Sequence, residues 1–585
     1  MRLLAITLLL ASFAAKATPE ATPTEALNGL FASEWERGLQ RDPLGATYLG
    51  DNRFNQRLPD LSAAAIEADF SATRDALATL KAIDRSAVKA SDQLNYDVFA
   101  WQLEQSIAEQ AFHPERTPIS QRGGIQTFDE VLELLRFDSA QSYLDWIARM
   151  RGFGDYMDQT IALMQAGIES GHVPPKVVMQ RVSAQIKGQL AKSAEESRFW
   201  KPFATFPASV TAEQQAELRS AGRAAISEVV LPAYGRLHTF FTETYLPACR
   251  DSVAASSLPD GKALYAQRAG FYTTTSLSPD EIHEIGLKEV ARIRAEMEKV
   301  REEVKFAGDL PAFFAHLRSD PKFFQPTPAA LLSAYRDVSK RIDPELIKVF
   351  NVATMPRMPY GVRPIPAASA PDTTTAYYQG GALDGSRAGY YYVNLYKPET
   401  RPNWEMMALS LHEAVPGHHY QFAYALELPQ QPMFRKVAYV VAYGEGWALY
   451  AERLGYEMGL YDDPYDRFGQ LTYDMWRAVR LVVDTGLHSK GWSRQQAIDY
   501  FMANAAKTEQ DVVNEIDRYI VWPGQALAYK IGQLKISELR DRASKALGDR
   551  FNLKDFHDVV LGTGSVPLSV LEKQVDAWVA VQRGK

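Results

Sequence analysis

The stretch Leu411-His412-Glu413-Ala414-Val415-Pro416-Gly417-His418-His419 carries three of the ten histidines in 585 residues, with a carboxylate directly after the first. Neutral imidazoles plus one carboxylate are the usual donors of a catalytic zinc site, which keeps one position open for water. In the helical form, His-Glu-x-x-His, imidazoles at i and i+4 share a face and the glutamate serves as base. Here the second imidazole comes at i+6 or i+7 instead. At about 100° per residue, i+6 lies roughly 120° away from His412. His419, at i+7, returns to the right face but sits about 10.5 Å up the axis, a poor fit to one ion with bonds of about 2.1 Å. Pro416 has no N–H to give to the carbonyl of His412, and Gly417 takes backbone angles that other residues resist. We read Pro-Gly as a two-residue bulge that brings His418 to the place of an i+4 histidine. His419 is then a group beside the ligands or a substrate contact.

A third ligand has to come from a following helix. The run Gly444-Glu445-Gly446-Trp447-Ala448-Leu449-Tyr450-Ala451-Glu452 has a helical pattern, and Glu445 lies 27 residues after His418 (445 − 418). That interval accommodates a helix, a turn at Leu428-Pro429-Gln430-Gln431-Pro432, and a return helix. Glu452, seven residues on, shares the face of Glu445 and is placed to orient a ligand.

His-Glu-Ala-Val-Pro-Gly-His-His, the preceding Arg401-Pro402-Asn403-Trp404-Glu405-Met406, and Gly-Glu-Gly-Trp-Ala-Leu-Tyr resemble the bacterial domain-of-unknown-function family 885. That family is grouped with the zincin metallopeptidases, distant relatives of angiotensin-converting enzyme and the thimet-type oligopeptidases. The resemblance runs from Phe271 to Arg540 and more weakly over the N-terminal half. The family shares the unusual histidine spacing, so the choice between His418 and His419 stays open at this level. The resemblance implies a mainly α, zincin-like fold with two helical halves around a cleft and a small β element. Asn514-Glu515-Ile516-Asp517-Arg518-Tyr519, leading into Trp522-Pro523-Gly524, is also similar to the Arg-Tyr segment of angiotensin-converting enzyme. Carried over, steadying of the tetrahedral intermediate falls on Tyr519 with Arg518 beside it, and Tyr529 and Lys530 are weaker candidates.

The chemistry implied is hydrolysis with Zn2+ on His412, His418 and Glu445, whose bound water falls in pKa towards about 7. Glu413 takes the proton and passes it to the leaving amine, and a tyrosine hydroxyl supports the oxyanion. The substrate expected is a short peptide. A zinc amidase acting on cell-wall fragments or small amides uses the same residues. A periplasmic peptide-binding protein without turnover has no need of Glu413.

The rest of the chain supports these elements. Residues 1–17 read as a signal peptide, with Arg2, an apolar Leu3–Ala15 and a small-x-small end at Ala15-Lys16-Ala17. Cleavage there implies a periplasmic or secreted protein with no stable membrane anchor. The single cysteine, Cys249, excludes an intramolecular disulfide. A net charge of −7 argues against a nucleic-acid partner. Residues 18–250 form a helical region with no catalytic constellation of its own, and 251–585 carry the candidate site. Ser278-Pro279-Asp280-Glu281 opens a long helix on which His283 is exposed. Pro356 to Pro371 mark an ordered loop. Gly389 to Tyr396 is the best β-strand, rich in aromatic and branched residues, and in zincins such a strand pairs with extended substrate.

Overall fold

A computed structural model describes residues 21–584 apart from 368, 369, 383, 384, 386, 429 and 430. The signal-peptide reading of residues 1–17, and Pro429 and Gln430 of the expected turn, lie outside the described residues. The chain is mainly helical, with one three-stranded sheet among the described residues. No helix among them is long and apolar enough to cross a membrane.

Seven helices and the sheet position the candidate site. Helix α1 (Pro279–Glu303) starts as expected: Ser278 and Glu281 exchange side-chain and backbone hydrogen bonds in a capping box, with Pro279 in the first turn. Its face of Ile282, Val290, Ile293, Met297 and Val300 is buried. His283 is buried as well, which corrects the expectation of exposure. Its Nδ1 lies 2.7 Å from Thr485 Oγ1, so a partner two hundred residues away absorbs its polarity.

The sheet holds β1 (Tyr360–Pro364), β2 (Ala376–Gln379) and β3 (Gly389–Val393) in the order β1-β3-β2. β1 arises inside the stretch read as a Pro-rich loop, with Pro364 at the last position of an edge strand, where a missing N–H costs no ladder bond. β3 is shorter than expected because the buried Asn394 turns the chain, its amide nitrogen donating to the carbonyls of Ala370, Thr373 and Thr374. β3 pairs in parallel with β1 and antiparallel with β2. Both its edges are occupied, so β3 has no free edge for strand addition by a substrate.

Helices α2 (Met406–Glu413), α3 (His418–Glu427), α4 (Val441–Met458), α5 (Pro464–His488), α6 (Glu509–Val521) and α7 (Ala528–Leu547) follow. α4 and α7 touch backbone to backbone. A carbon added to Gly532 would lie 1.9 Å from the Ala442 carbonyl oxygen, and one added to Gly446 would lie 2.6 Å from the Gly532 Cα. One continuous apolar core runs from Val98 to Val575, joining the N-terminal helices to those around the candidate site. Polar links cross as well: Gln121 Nε2 donates to the Asp517 carbonyl (2.9 Å), Arg181 pairs with Asp517 (2.8 Å), and the buried Arg435 reaches Asn95 (3.2 Å).

One buried acid in this frame sets a pH dependence. Asp484 Oδ1 accepts from Tyr265 Oη (2.6 Å) and from the Gly524 N–H (3.0 Å). Burial raises its carboxyl to about 7 against these two bonds and the Arg518 charge. The unfolded group titrates near 3.9, so the native state binds the extra proton between these values and stability falls as pH rises from about 4 to about 7. Asn at this position keeps an oxygen for both donors and has nothing to ionise. Asp484→Asn should therefore be near neutral at pH 4 and raise stability at pH 8 by up to about 4 kcal/mol, read from thermal unfolding at both pH values. An equal shift at both would overturn this account.

Candidate metal centre

α2 ends at Glu413, where Ala414 makes the last helical bond to Ser410 (3.0 Å), and Pro416 has no N–H for the carbonyl of His412. The chain does not bulge within one continuing helix. It leaves the helix at Ala414, turns through Val415-Pro416-Gly417 with a cis Val415–Pro416 bond, and restarts as α3, in which Gln421 donates to the Gly417 carbonyl (3.0 Å). The turn is pinned to α4 by Trp447 Nε1, which donates to the Pro416 carbonyl (2.8 Å). Gly417 passes so close to the end of α2 that an added Cβ would lie 1.9 Å from the His412 carbonyl oxygen.

This break brings the His418 ring to 4.8 Å from the His412 ring, nearly perpendicular at 88°. Glu445, on α4, joins them: its Oε2 lies 3.6 Å from His412 Nε2 and 3.3 Å from His418 Nε2. One ligand atom from each of the three residues lies within 4.8 Å of the other two. Ligands at about 2.0–2.1 Å from a tetrahedral zinc stand about 3.3 Å apart, so the donor set and its spacing fit such an ion. The remaining atoms of the three residues suit this role. His412 Nδ1 faces Glu452 Oε1 at 2.8 Å, which places its hydrogen on Nδ1 and turns Nε2 towards Glu445. Glu452 is fully buried, approached by Arg477 at 3.3 Å. Glu445 Oε1 accepts from Tyr439 Oη at 2.9 Å.

The electrostatics follow from these contacts. Burial works against charge on His412, but Glu445 and Glu452 override it and raise the imidazole to about 9. Burial likewise opposes charge on Glu445, and the His418 and His412 imidazoles hold its carboxyl well below the usual range. His419 is different: Nδ1 meets Tyr378 Oη (3.0 Å) and Nε2 meets the Met358 carbonyl (2.9 Å), so both nitrogens are spent on protein. Burial lowers its pKa to about 4. Of the two alternatives for the second imidazole, His418 stands with His412 and Glu445, and His419 ties α3 to the sheet.

Glu413 follows His412 at the end of α2 and is almost buried. Its charge reaches Tyr439, whose hydroxyl is held well above the ordinary value by burial first and then by Glu445, Tyr529 and Glu413. Tyr439 went unnoticed in the sequence because it precedes α4 in no motif. Tyr519 is placed differently from the oxyanion donor that the resemblance implied. Its hydroxyl donates to Glu515 (2.7 Å) and accepts from Arg480 (2.9 Å) and Trp476 (3.2 Å). The single proton is committed, and the group is fully buried. Arg518 is bound to the same Glu515 (3.0 Å). Lys530 pairs with Asp474 (2.6 Å) and Glu289 (2.9 Å) in the interior and is structural. Tyr529 feels the charge of the centre: burial, then Glu445, raises its hydroxyl, and the Arg480 guanidinium sits 4.2 Å from its ring centroid.

Fold and site define a mainly helical protein in which two imidazoles and one carboxylate converge. The chain belongs to the family of bacterial proteins of unknown function DUF885, whose model matches residues 43–575. It is similar over 96% of its length, at 31% identity and a TM-score of 0.91, to the whole of a crystal structure described as "the putative lipoprotein from Colwellia psychrerythraea". A second structure, described as "a putative lipoprotein of unknown function from Shewanella oneidensis", shares the fold at 18% identity and a TM-score of 0.72, over 95% of this chain and 99% of that one. None of the curated proteins compared matches the chain.

Proposed function

We propose that this protein is a zinc-dependent hydrolase of peptide bonds in short peptides. The observation that carries this reading is the convergence of His412 Nε2, His418 Nε2 and Glu445 Oε2 at separations suited to one tetrahedral ion, with Glu413 adjoining. A zinc ion held there supplies polarisation of the scissile carbonyl and a more acidic water. Glu413 accepts the water proton as the oxygen joins the carbonyl carbon, and delivers it to the nitrogen as the C–N bond breaks. Glu452 fixes the tautomer and direction of His412. We assign the oxyanion donor to Tyr529 in place of Tyr519, because the proton of Tyr519 already belongs to Glu515. The zincin-like reading rests on the His-Glu helix, the later Glu-bearing helix and the small sheet beside them. The description of both structural neighbours as lipoproteins supports an extracytoplasmic setting, with the periplasm or the exterior as the finer reading.

The test is metal content by mass spectrometry on the full chain purified without chelator, followed by profiling against a peptide library. We expect close to one zinc per chain and cleavage that stops with a chelator and returns with zinc. A chain that takes up no metal when zinc is offered would overturn the proposal.

A further inference from the structure

Beside the candidate metal centre the positive charges outnumber the negative ones. Glu515 on α6 is the one carboxylate shared by Arg480 (3.0 Å) and Arg518 (3.0 Å). Its neighbour Asp517 is already taken by Arg181 (2.8 Å) and Arg494 (2.6 Å). A third guanidinium, Arg122, arrives from the N-terminal region on the loop whose Gln121 is anchored to the Asp517 carbonyl. Arg122 makes no ion pair among the described residues, and its guanidinium stands 5.5 Å from the centroid of the exposed Trp522 ring. Asp484 also feels Arg518, but burial holds it near 7, so it brings only part of a charge at neutral pH.

Two observations indicate that this excess faces a ligand. Arg122 is solvent-exposed and its guanidinium is held against the Trp522 ring on the loop that Gln121 ties to α6; burial and then the Arg518 charge lower its pKa, so the two guanidinium groups share one neighbourhood. Arg480 is 7% exposed, and its Nη1 is buried with no hydrogen-bond partner among the described residues, although Nε and Nη2 are used by Tyr519 and Glu515. A buried, unpaired guanidinium N–H is costly unless something anionic or polar meets it. Tyr529 connects this cluster to the candidate metal centre. Its ring lies under Arg480 at 4.2 Å, and burial and then the Glu445 charge raise its hydroxyl.

We propose that Arg122, with Arg480 and Arg518 behind it, forms a carboxylate-binding subsite for the free C-terminal carboxylate of the peptide whose bond lies at the metal centre. A guanidinium matches a planar carboxylate with two parallel N–H donors, which a lysine does not. The protein then trims short peptides from the C-terminal side, where every peptide, whatever its sequence, ends in a carboxylate. This inference rests on the hydrolase reading above, and the experiment separates the two.

The probes are an N-acetylated tripeptide with a free C-terminus and the same peptide as its C-terminal amide, offered to the zinc-loaded full chain. We expect KM for the acid to be roughly 10- to 100-fold below KM for the amide, as for hydrogen bonds to a charged group. Arg122→Gln should close that gap to within about twofold by raising KM for the acid, and Arg122→Lys should restore it only in part. Equal KM values in the wild type, or an Arg122→Gln variant that loses both substrates alike, would overturn the subsite and leave the hydrolase reading intact. If neither probe is cleaved, the hydrolase reading fails and calorimetric binding decides. Tighter binding of the acid that is lost in Arg122→Gln keeps the subsite, and equal binding of acid and amide removes it. Displacement of the acid by inorganic phosphate at equal affinity would overturn the choice of a carboxylate.

Discussion

Glu413→Gln should keep its zinc and lose turnover by about a thousandfold, within the range found when a general base is removed. The two effects separate because Glu413 is not one of the three residues whose ligand atoms converge. Gln has the same shape and keeps an acceptor oxygen, so the end of α2 has no cause to move. It cannot take a proton from water and release it to an amine at working pH. The measurement is zinc per chain alongside kcat on a cleaved library peptide. Turnover within tenfold of wild type would place the base elsewhere and sink the proposed role. The same variant distinguishes an enzyme from a peptide-binding protein, in which Glu413→Gln would leave peptide affinity as it was and there would be no turnover to lose.

Gly417→Ala should be the most damaging small change in the site. The added carbon would lie 1.9 Å from the carbonyl oxygen of His412 and 2.5 Å from that of Leu411. These are backbone atoms of the helix that carries the first imidazole, so no side chain can swing aside to make room. Relief requires α2 and α3 to separate, and their junction is what sets the distance between His412 and His418. We expect zinc affinity to fall roughly 10- to 100-fold, as when the support of a ligand is lost. Stability should fall by on the order of 3 kcal/mol, from backbone strain beside a packed core. Gly29→Ala is the control: Gly29 lies inside the helix Pro23–Arg41 with nothing within 4 Å of the added carbon, so a gain of about 1 kcal/mol or less is expected. Normal zinc affinity in Gly417→Ala would show that the turn yields more easily than its contacts imply.

The parts of the molecule legible in the sequence were those with local causes. The capping box at Ser278 and the long helix behind it are written in neighbouring residues. The meeting of His412 with His418 was legible because Pro416 removes a particular donor and Gly417 permits a particular approach. Its form was not: whether the chain bulges or breaks depends on Trp447 holding the turn from another helix. Non-local partners account for the other differences. His283 looked exposed because its buried acceptor, Thr485, lies on α5. Tyr519 sits in the expected motif, but Arg480 and Trp476, some forty residues earlier, join Glu515 in fixing what its hydroxyl does. β1 was hidden in a run punctuated by prolines, and its pairing with β3 removed the free edge expected of that strand. Family membership extends over most of the chain, whereas the chemistry of the site rests on the geometry of a few side chains.

The contact of Gly446 with Gly532 has a mechanical consequence. Glu445 is the residue immediately before one of these glycines, and Tyr529 lies one helical turn before the other. With no side chain between the backbones to compress or slide, the carboxylate and the tyrosine move as parts of one solid body. The spacing between the Glu445 carboxylate and the Tyr529 ring is thereby set by the peptide chain itself, and rearrangement of the surrounding loops leaves it as it is.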